Sequence, residues 1–159
     1  MSPAETTAAP PTAPAATPDD HPHAPLATEV RMATFRLARR LRSQRAVDSM
    51  SDGQFAVLAA LKVHGPHTLG ELADRERVSA PSMNRTVNGL EEAGYLSRTP
   101  DRDDRRKVNI HLTDAGLVVV EETTRRRDLW LEQALGDLTD AQRDALTAAA
   151  AVMQEVAAR

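Results

Sequence analysis

Along this chain, apolar positions three and four residues apart mark helices, and one break into alternation marks strands. Leu26, Val30, Ala33, Leu37 and Leu41, with Phe35 beside them, predict a first helix from about Leu26 to Val47 whose other face is filled by arginines. Phe55, Leu58, Ala59 and Leu61 give a second helix its apolar stripe. Its opening, Ser51-Asp-Gly-Gln54, is a capping box: serine hydroxyl and glutamine amide each satisfy a backbone N–H of the other. His64-Gly65-Pro66 ends it, because glycine takes a left-handed stop and proline cannot continue a helix. Thr68-Leu-Gly-Glu71 repeats the box and opens a short helix through about Arg75. Ser79 caps the next helix, with Pro81 in its first turn where a missing amide costs little, and Gly94 ends it. Tyr95 to Thr99 and Val108 to Leu112 alternate and predict a two-stranded hairpin with a loop from Pro100 to Lys107. Thr113 starts a long helix bearing Leu117, Val120, Leu129 and Trp130. Thr139-Asp-Ala-Gln142 opens a last one with Leu146, Ala149, Val152, Met153 and Val156.

The expected fold is therefore mainly α with a small β-hairpin wing. A winged helix-turn-helix spans residues 48–112, between a first helix at 26–47 and two last helices at 113–159. The first and last helices carry aliphatic stripes that a small winged domain cannot cover. Left bare, they would exceed the apolar patch a soluble monomer usually exposes, so both are expected to form a dimerisation domain between two copies. Residues 1–25 differ in kind. They hold seven of the ten prolines, many alanines and neither Lys nor Arg. Too little apolar surface is available there to offset ordering entropy, and the segment reads as a disordered Pro/Ala-rich tail.

Composition narrows the function classes. At 159 residues, one domain with appendages is expected, and with Phe35, Phe55, Tyr95 and Trp130 as the only aromatics the core must be aliphatic. The absence of cysteine excludes a disulfide scaffold, a thiolate zinc site and a thiol redox switch. No run approaches the roughly 18 apolar residues of a membrane span, and the N-terminus lacks a secretory profile. A cytoplasmic protein with no membrane association is expected. The net charge of −3 looks wrong for a nucleic-acid binder, but its distribution matters more than its sum. Val30 to Val47 contains six arginines and no acid; Arg98 to Lys107 has five basic residues against three aspartates. From Asp114 onward, nine acids outnumber five arginines.

Candidate chemistry sits on the helix opened by Ser79 and on the hairpin tip. At about 100° per residue, Met83, Val87 and Leu90 share one sector with Ala80 beside them, and this is the expected core face. Pro81, Ser82, Asn84, Arg85, Asn88 and Gly89 fall opposite. Small hydroxyl and amide side chains let a helix lie close to base edges; serine bonds donors or acceptors, asparagine suits adenine and arginine suits guanine. Ser79, Pro81, Ser82, Asn84, Arg85 and Asn88 are thus candidates for reading double-stranded DNA. The tip Asp101-Arg-Asp-Asp-Arg-Arg-Lys107 is costly if it only closes a turn. Arg102, Arg105, Arg106 and Lys107 could enter a minor groove or grip phosphates, and aspartates such as Asp104 could orient the arginines. The chain shows no metal-ligand spacing, glycine-rich phosphate loop or nucleophile elbow, so neither an enzyme nor a cofactor is expected. The closest approach, His64-Gly-Pro-His67, is an incomplete zinc site at a helix stop.

These residues resemble those of the MarR (multiple antibiotic resistance regulator) family over roughly Leu26 to Ala157. The most specific part is Leu90-Glu-Glu-Ala-Gly-Tyr-Leu-Ser-Arg98, then Asp104-Arg-Arg106, then Val108-x-Ile-x-Leu-Thr-x-x-Gly116. The resemblance implies a transcriptional regulator, expected to repress, acting as a homodimer whose first, fifth and sixth helices interlock. It places the helix from Ser79 to Ala93 in the major groove, matches Arg106 to a wing arginine and matches Asp104 to the aspartate that positions the tip. Many members have an aspartate where this chain has Asn88, paired with the wing arginine. Asn88 cannot form that charged pair; either Asp103 and Asp104 orient the wing alone, or Asn88 faces DNA directly. The family also suggests a small aromatic or anionic effector near the junction of the first two helices, with Phe35, Arg39, His64 and His67 as candidate liners. The competing reading is a winged-helix module that contacts protein and has only non-specific DNA affinity.

Overall fold

The computed structural model of the chain describes residues 22–101 and 107–159. Most of the expected tail, and the tip residues Arg102, Asp104, Arg105 and Arg106, lie outside the described residues. Among the described residues the elements run α1 (Ala24–Arg42), α2 (Asp52–His64), β1 (His67–Thr68), α3 (Leu69–Arg75), α4 (Ala80–Glu92), β2 (Leu96–Pro100), β3 (Val108–Leu112), α5 (Asp114–Gly136) and α6 (Asp140–Ala157). The chain divides after Leu37 into two units. The first holds most of α1, on which Leu26, Val30, Met32, Phe35 and Leu37 are all exposed. The second holds everything from Ala38 onward.

The capping residues define the helix starts as the sequence predicts. Ser51, Thr68 and Thr139 each close a reciprocal box, with Gln54, Glu71 and Gln142. Ser79 and Thr113 cap α4 and α5 by accepting from Ser82 N and Gly116 N. At the end of α4, Gly94 takes φ +77°, which lets Tyr95 N donate to Leu90 O and Gly94 N to Glu91 O. The turn between α3 and α4 has no glycine; Arg77 adopts the left-handed region there, at φ +53°.

The core of the second unit is aliphatic, as the scarcity of aromatics requires. Val57, Leu58 and Leu61 of α2 meet Leu72 of α3, Met83, Val87 and Leu90 of α4, Leu96 and Ile110 of the sheet, and Val119 and Val120 of α5. Each such side chain contributes about 1.5–3 kcal/mol on burial. Gly116 allows α5 to start against the α4–β2 turn: a Cβ there would lie 2.1 Å from Tyr95 O. Thr113 Oγ1 donates to Gly94 O at 2.8 Å across the same junction.

Several local expectations are corrected. The first helix stops at Arg42 rather than near Val47, because the following backbone bonds to α5: Ala46 N donates to the buried Thr123 Oγ1, and Arg126 Nη1 donates to Arg45 O. The hairpin's first strand begins at Leu96, since Tyr95 is used in closing α4. The hairpin also has a third partner. His67 and Thr68 pair with Ile110 and Asn109, so β3 is central in an antiparallel sheet of order β1-β3-β2.

Candidate nucleic-acid interface

Helix α4 is packed on three sides. Met83, Val87 and Leu90, at i, i+4 and i+7, are buried in the core. On one flank, a Cβ at Gly89 would meet Gln54 Nε2 of α2 at 3.7 Å, so Gly89 does not belong to the outward face. Ala80, expected beside the core stripe, is exposed because it lies in the first turn, before α4 reaches the packed region. On the other flank runs the stripe Asn84, Asn88 and Glu91, and Arg98 of β2 reaches across to all three. Its Nη2 donates to Asn88 Oδ1 at 2.7 Å and to Asn84 Oδ1 at 3.3 Å. Its Nη1 donates to the Glu91 carboxylate.

What remains outward is the expected short polar surface. Ser79, Pro81, Asn84, Arg85 and Asn88 are exposed, and Ser82 is half-buried. A surface built only for solvation would carry long flexible charges; here the helix is held on both flanks and presents side chains of limited reach. Neither alternative left open for Asn88 describes its position in full. Its oxygen is engaged by a strand arginine that the sequence marks only as the last residue of the Leu90–Arg98 motif. Ten residues and a change from helix to strand separate the pair, and no local periodicity links a strand position to a helix stripe.

The wing is described at its base. Asn109 Nδ2 donates to Asp101 Oδ2 at 2.8 Å, and Thr99 Oγ1 lies 2.7 Å from His111 Nε2, tying β2 to β3 below the tip. Lys107 is exposed where the chain re-enters the sheet. The four remaining tip candidates lie outside the described residues.

The expected effector residues lie on α1 and around the α2–β1 turn. Phe35 is exposed on α1, with the Arg31 guanidinium 6.0 Å from its ring centre, and Arg39 is exposed further along that helix. His64 and His67 stack edge to face with centroids 6.3 Å apart, and His67 Nδ1 lies 2.8 Å from Gly65 O. A cavity in the second unit is lined by other residues: Arg45, Val47, Met50, Ser51, Asp52, Phe55, Thr123 and Arg127. The Arg127 guanidinium sits 4.2 Å from the Phe55 ring centre, a cation–π contact, and its buried Nε has no hydrogen-bond partner among the described residues. Burial pushes the Arg127 guanidinium below its ordinary value, with Asp52 acting in the opposite direction. No group of three or more His, Cys, Asp or Glu among the described residues could hold a metal ion, and no described helix is long and apolar enough to cross a membrane.

Comparison with known proteins bears on this geometry. The family model described as MarR family matches residues 50–108, which runs from the start of α2 to the start of β3. The chain is 36% identical over 128 residues to the uncharacterised HTH-type transcriptional regulator Mb0904 of Mycobacterium bovis, covering 80% of this chain and 90% of that protein. The crystal structure of a putative transcriptional regulator protein from Pseudomonas aeruginosa superposes with TM-score 0.77 at 27% identity, covering 89% of this chain and 98% of the other. A mutant of S. aureus MepR bound to an oligodeoxyribonucleotide superposes with TM-score 0.65 at 20% identity, covering 82% and 96%, and so shares the fold.

Proposed function

Because this chain belongs to the MarR family and is a DNA-binding transcriptional regulator, we propose that it acts as a homodimeric repressor that reads a palindromic operator with α4. The observation that carries this reading is the outward face of α4: Asn84, Arg85 and Asn88 are exposed on a helix whose apolar stripe is buried and whose flank is held by Arg98. In the proposal Ser79, Pro81, Ser82, Asn84, Arg85 and Asn88 meet the major groove. Arg102, Arg105, Arg106 and Lys107 meet the minor groove or phosphates, with Asp104 orienting them. The 48–112 winged domain would be held to its twin by residues 26–47 and 113–159. Exposed apolar side chains on α1 and α6 support this division. A two-fold protein of this kind fits half-sites centred roughly 34–36 Å apart.

Modulation by a small effector belongs to the same proposal. The cavity beside Arg127 and Phe55, about 10 Å³, admits no more than a water-sized molecule, and the cation and the ring already face each other, so an aromatic or anionic effector would need a site elsewhere. Phe35, Arg39, His64 and His67 line no part of that cavity, so they would act only at a separate subsite.

Fluorescence anisotropy tests the function directly. The chain is titrated with duplex DNA from immediately upstream of its own coding region, over a range of salt, against a scrambled duplex. Tight, selective and steeply salt-dependent binding at one dimer per site is expected. Arg85→Ala should weaken specific binding by about 1–3 kcal/mol and relax preference at one base position per half-site. An equal loss on unrelated DNA would remove Arg85 from base reading.

A further inference from the structure

We propose that Arg98 of β2 sets which bases Asn88 accepts, by holding the Asn88 amide with its oxygen turned toward the sheet; this rests on the reading of α4 as the base-reading helix. A guanidinium has five N–H donors and no acceptor. The Asn88 atom that lies 2.7 Å from Arg98 Nη2 must therefore be Oδ1, and the amide orientation is fixed by chemistry. The same nitrogen reaches Asn84 Oδ1 at 3.3 Å, which biases a second amide in the same sense.

Arg98 is itself well restrained. It shares a strand face with buried Leu96 and stands opposite buried Ile110 in the β2–β3 pairing. Its other terminal nitrogen is bound to the Glu91 carboxylate, one turn beyond Asn88 on α4. Both ends of the fork are thus committed to the same helix flank. To release Asn88, the guanidinium would have to leave Glu91 or rotate out of this plane.

The consequence lies in the hydrogen-bond code of the major groove. A free asparagine reads adenine by accepting from N6 and donating to N7 side by side. An amide whose oxygen is drawn toward β2 has one lone pair committed to Arg98 and is turned away from the side-by-side alignment with that edge. It presents its nitrogen, a donor, on the side away from Arg98. Guanine, with N7 and O6, and thymine, with O4, offer that donor an acceptor with no amino group beside it on the same base, whereas adenine offers N7 next to its N6 donor. Arg98 is in this sense a positioning residue that converts Asn88 from an adenine reader into a reader of acceptors, without touching a base.

In vitro selection from randomised duplexes, with the full-length chain as wild type, N88A, R98M and R98K, tests the idea. Cooperative melting of each variant is checked first. The position whose preference disappears in N88A is the one Asn88 reads. There the wild type should select guanine or thymine. R98M frees the amide and should raise adenine by about fivefold at that position, leaving the others unchanged. R98K, which keeps a charge beside Glu91 but cannot fork, should shift the same position part of the way, and it carries the comparison if R98M does not melt cooperatively. Adenine at that position in the wild type, or coincident preferences in the wild type and the folded Arg98 variants, would overturn the role of Arg98 alone. If the wild type enriches no sequence at all, the reading of α4 as a base-reading helix fails and this proposal falls with it.

Discussion

Helices α4 and α6 are both amphipathic and both begin with a hydroxyl cap, yet they have opposite fates in the chain. The apolar stripe of α4 is enclosed: Met83, Val87 and Leu90 are 2%, 0% and 1% exposed. That of α6 is open: Leu146, Val152, Met153 and Val156 are 48%, 58%, 43% and 60% exposed, and no residue of that helix is buried. An apolar stripe reports that a surface will be covered; it does not report by what. For α4 the cover is supplied by α2, α3 and the sheet within one chain. For α6 nothing among the described residues supplies it, and in the proposed homodimer the second copy does. The same comparison separates two kinds of polar face. That of α4 is clamped by Arg98 and short in reach, whereas α6 carries Asp140, Asp144 and Glu155, which would repel phosphates.

Substitution by aspartate at matched positions on the two helices should divide them sharply. Val87→Asp places a charge without a partner in the core, and a loss of more than about 3 kcal/mol is expected, a large share of the roughly 5–15 kcal/mol that holds such a domain folded, read as a marked fall in the urea midpoint. Val152→Asp puts the same charge on a face that is open in the single chain. Its cost should fall on association, giving monomers by light scattering, or unfolded chain if a protomer is stable only when paired. A stable folded dimer carrying Val152→Asp would mean that the α6 face is not the interface. A Val87→Asp variant that unfolds like the wild type would mean the core has been misplaced.

How much of this was legible beforehand depended on the range of the interactions. The caps at Ser51, Thr68, Ser79, Thr113 and Thr139 were readable because each joins residues three apart, and the structure forms all of them. The stripe Met83, Val87 and Leu90 was readable for the same reason. Ala80 and Gly89 were assigned to the wrong faces because angle alone ignores where neighbouring elements begin and end; α2 approaches Gly89, while nothing among the described residues covers Ala80 in the first turn. Strand β1 escaped notice because two residues carry no alternation, and its pairing with β3 spans the whole helix-turn-helix. The Arg98 clamp was invisible on similar grounds: a strand residue and a helix stripe meet through the Gly94 turn, and only the turn itself has a sequence mark.

The smallest expected effect distinguishes the caps of the two regions. The boxes that open α2 and α6 are completed by amides, Gln54 and Gln142, which do not titrate. The box of α3, the helix that precedes α4, is completed by the Glu71 carboxylate. Glu71 Oε2 accepts from Thr68 N at 2.7 Å and from Thr68 Oγ1 at 2.9 Å. The backbone bond first, and the hydroxyl second, hold the Glu71 carboxyl below its ordinary value of 4.5. Removing the cap by Thr68→Ala should cost about 1 kcal/mol at neutral pH, read from urea unfolding. A carboxyl whose folded pKa is depressed contributes stability that is fully present above its unfolded value and is lost as pH falls through the folded one. Glu71→Gln keeps an acceptor for Thr68 N without a charge. Its difference from the wild type should therefore be level above pH 4.5 and close as the solution becomes more acidic. Because the side chain lies at the surface, the change is a fraction of the cap's own contribution. A gap that stays constant through the acid range would show that Glu71 caps α3 as a neutral acceptor would, and that acid weakens the two regions alike.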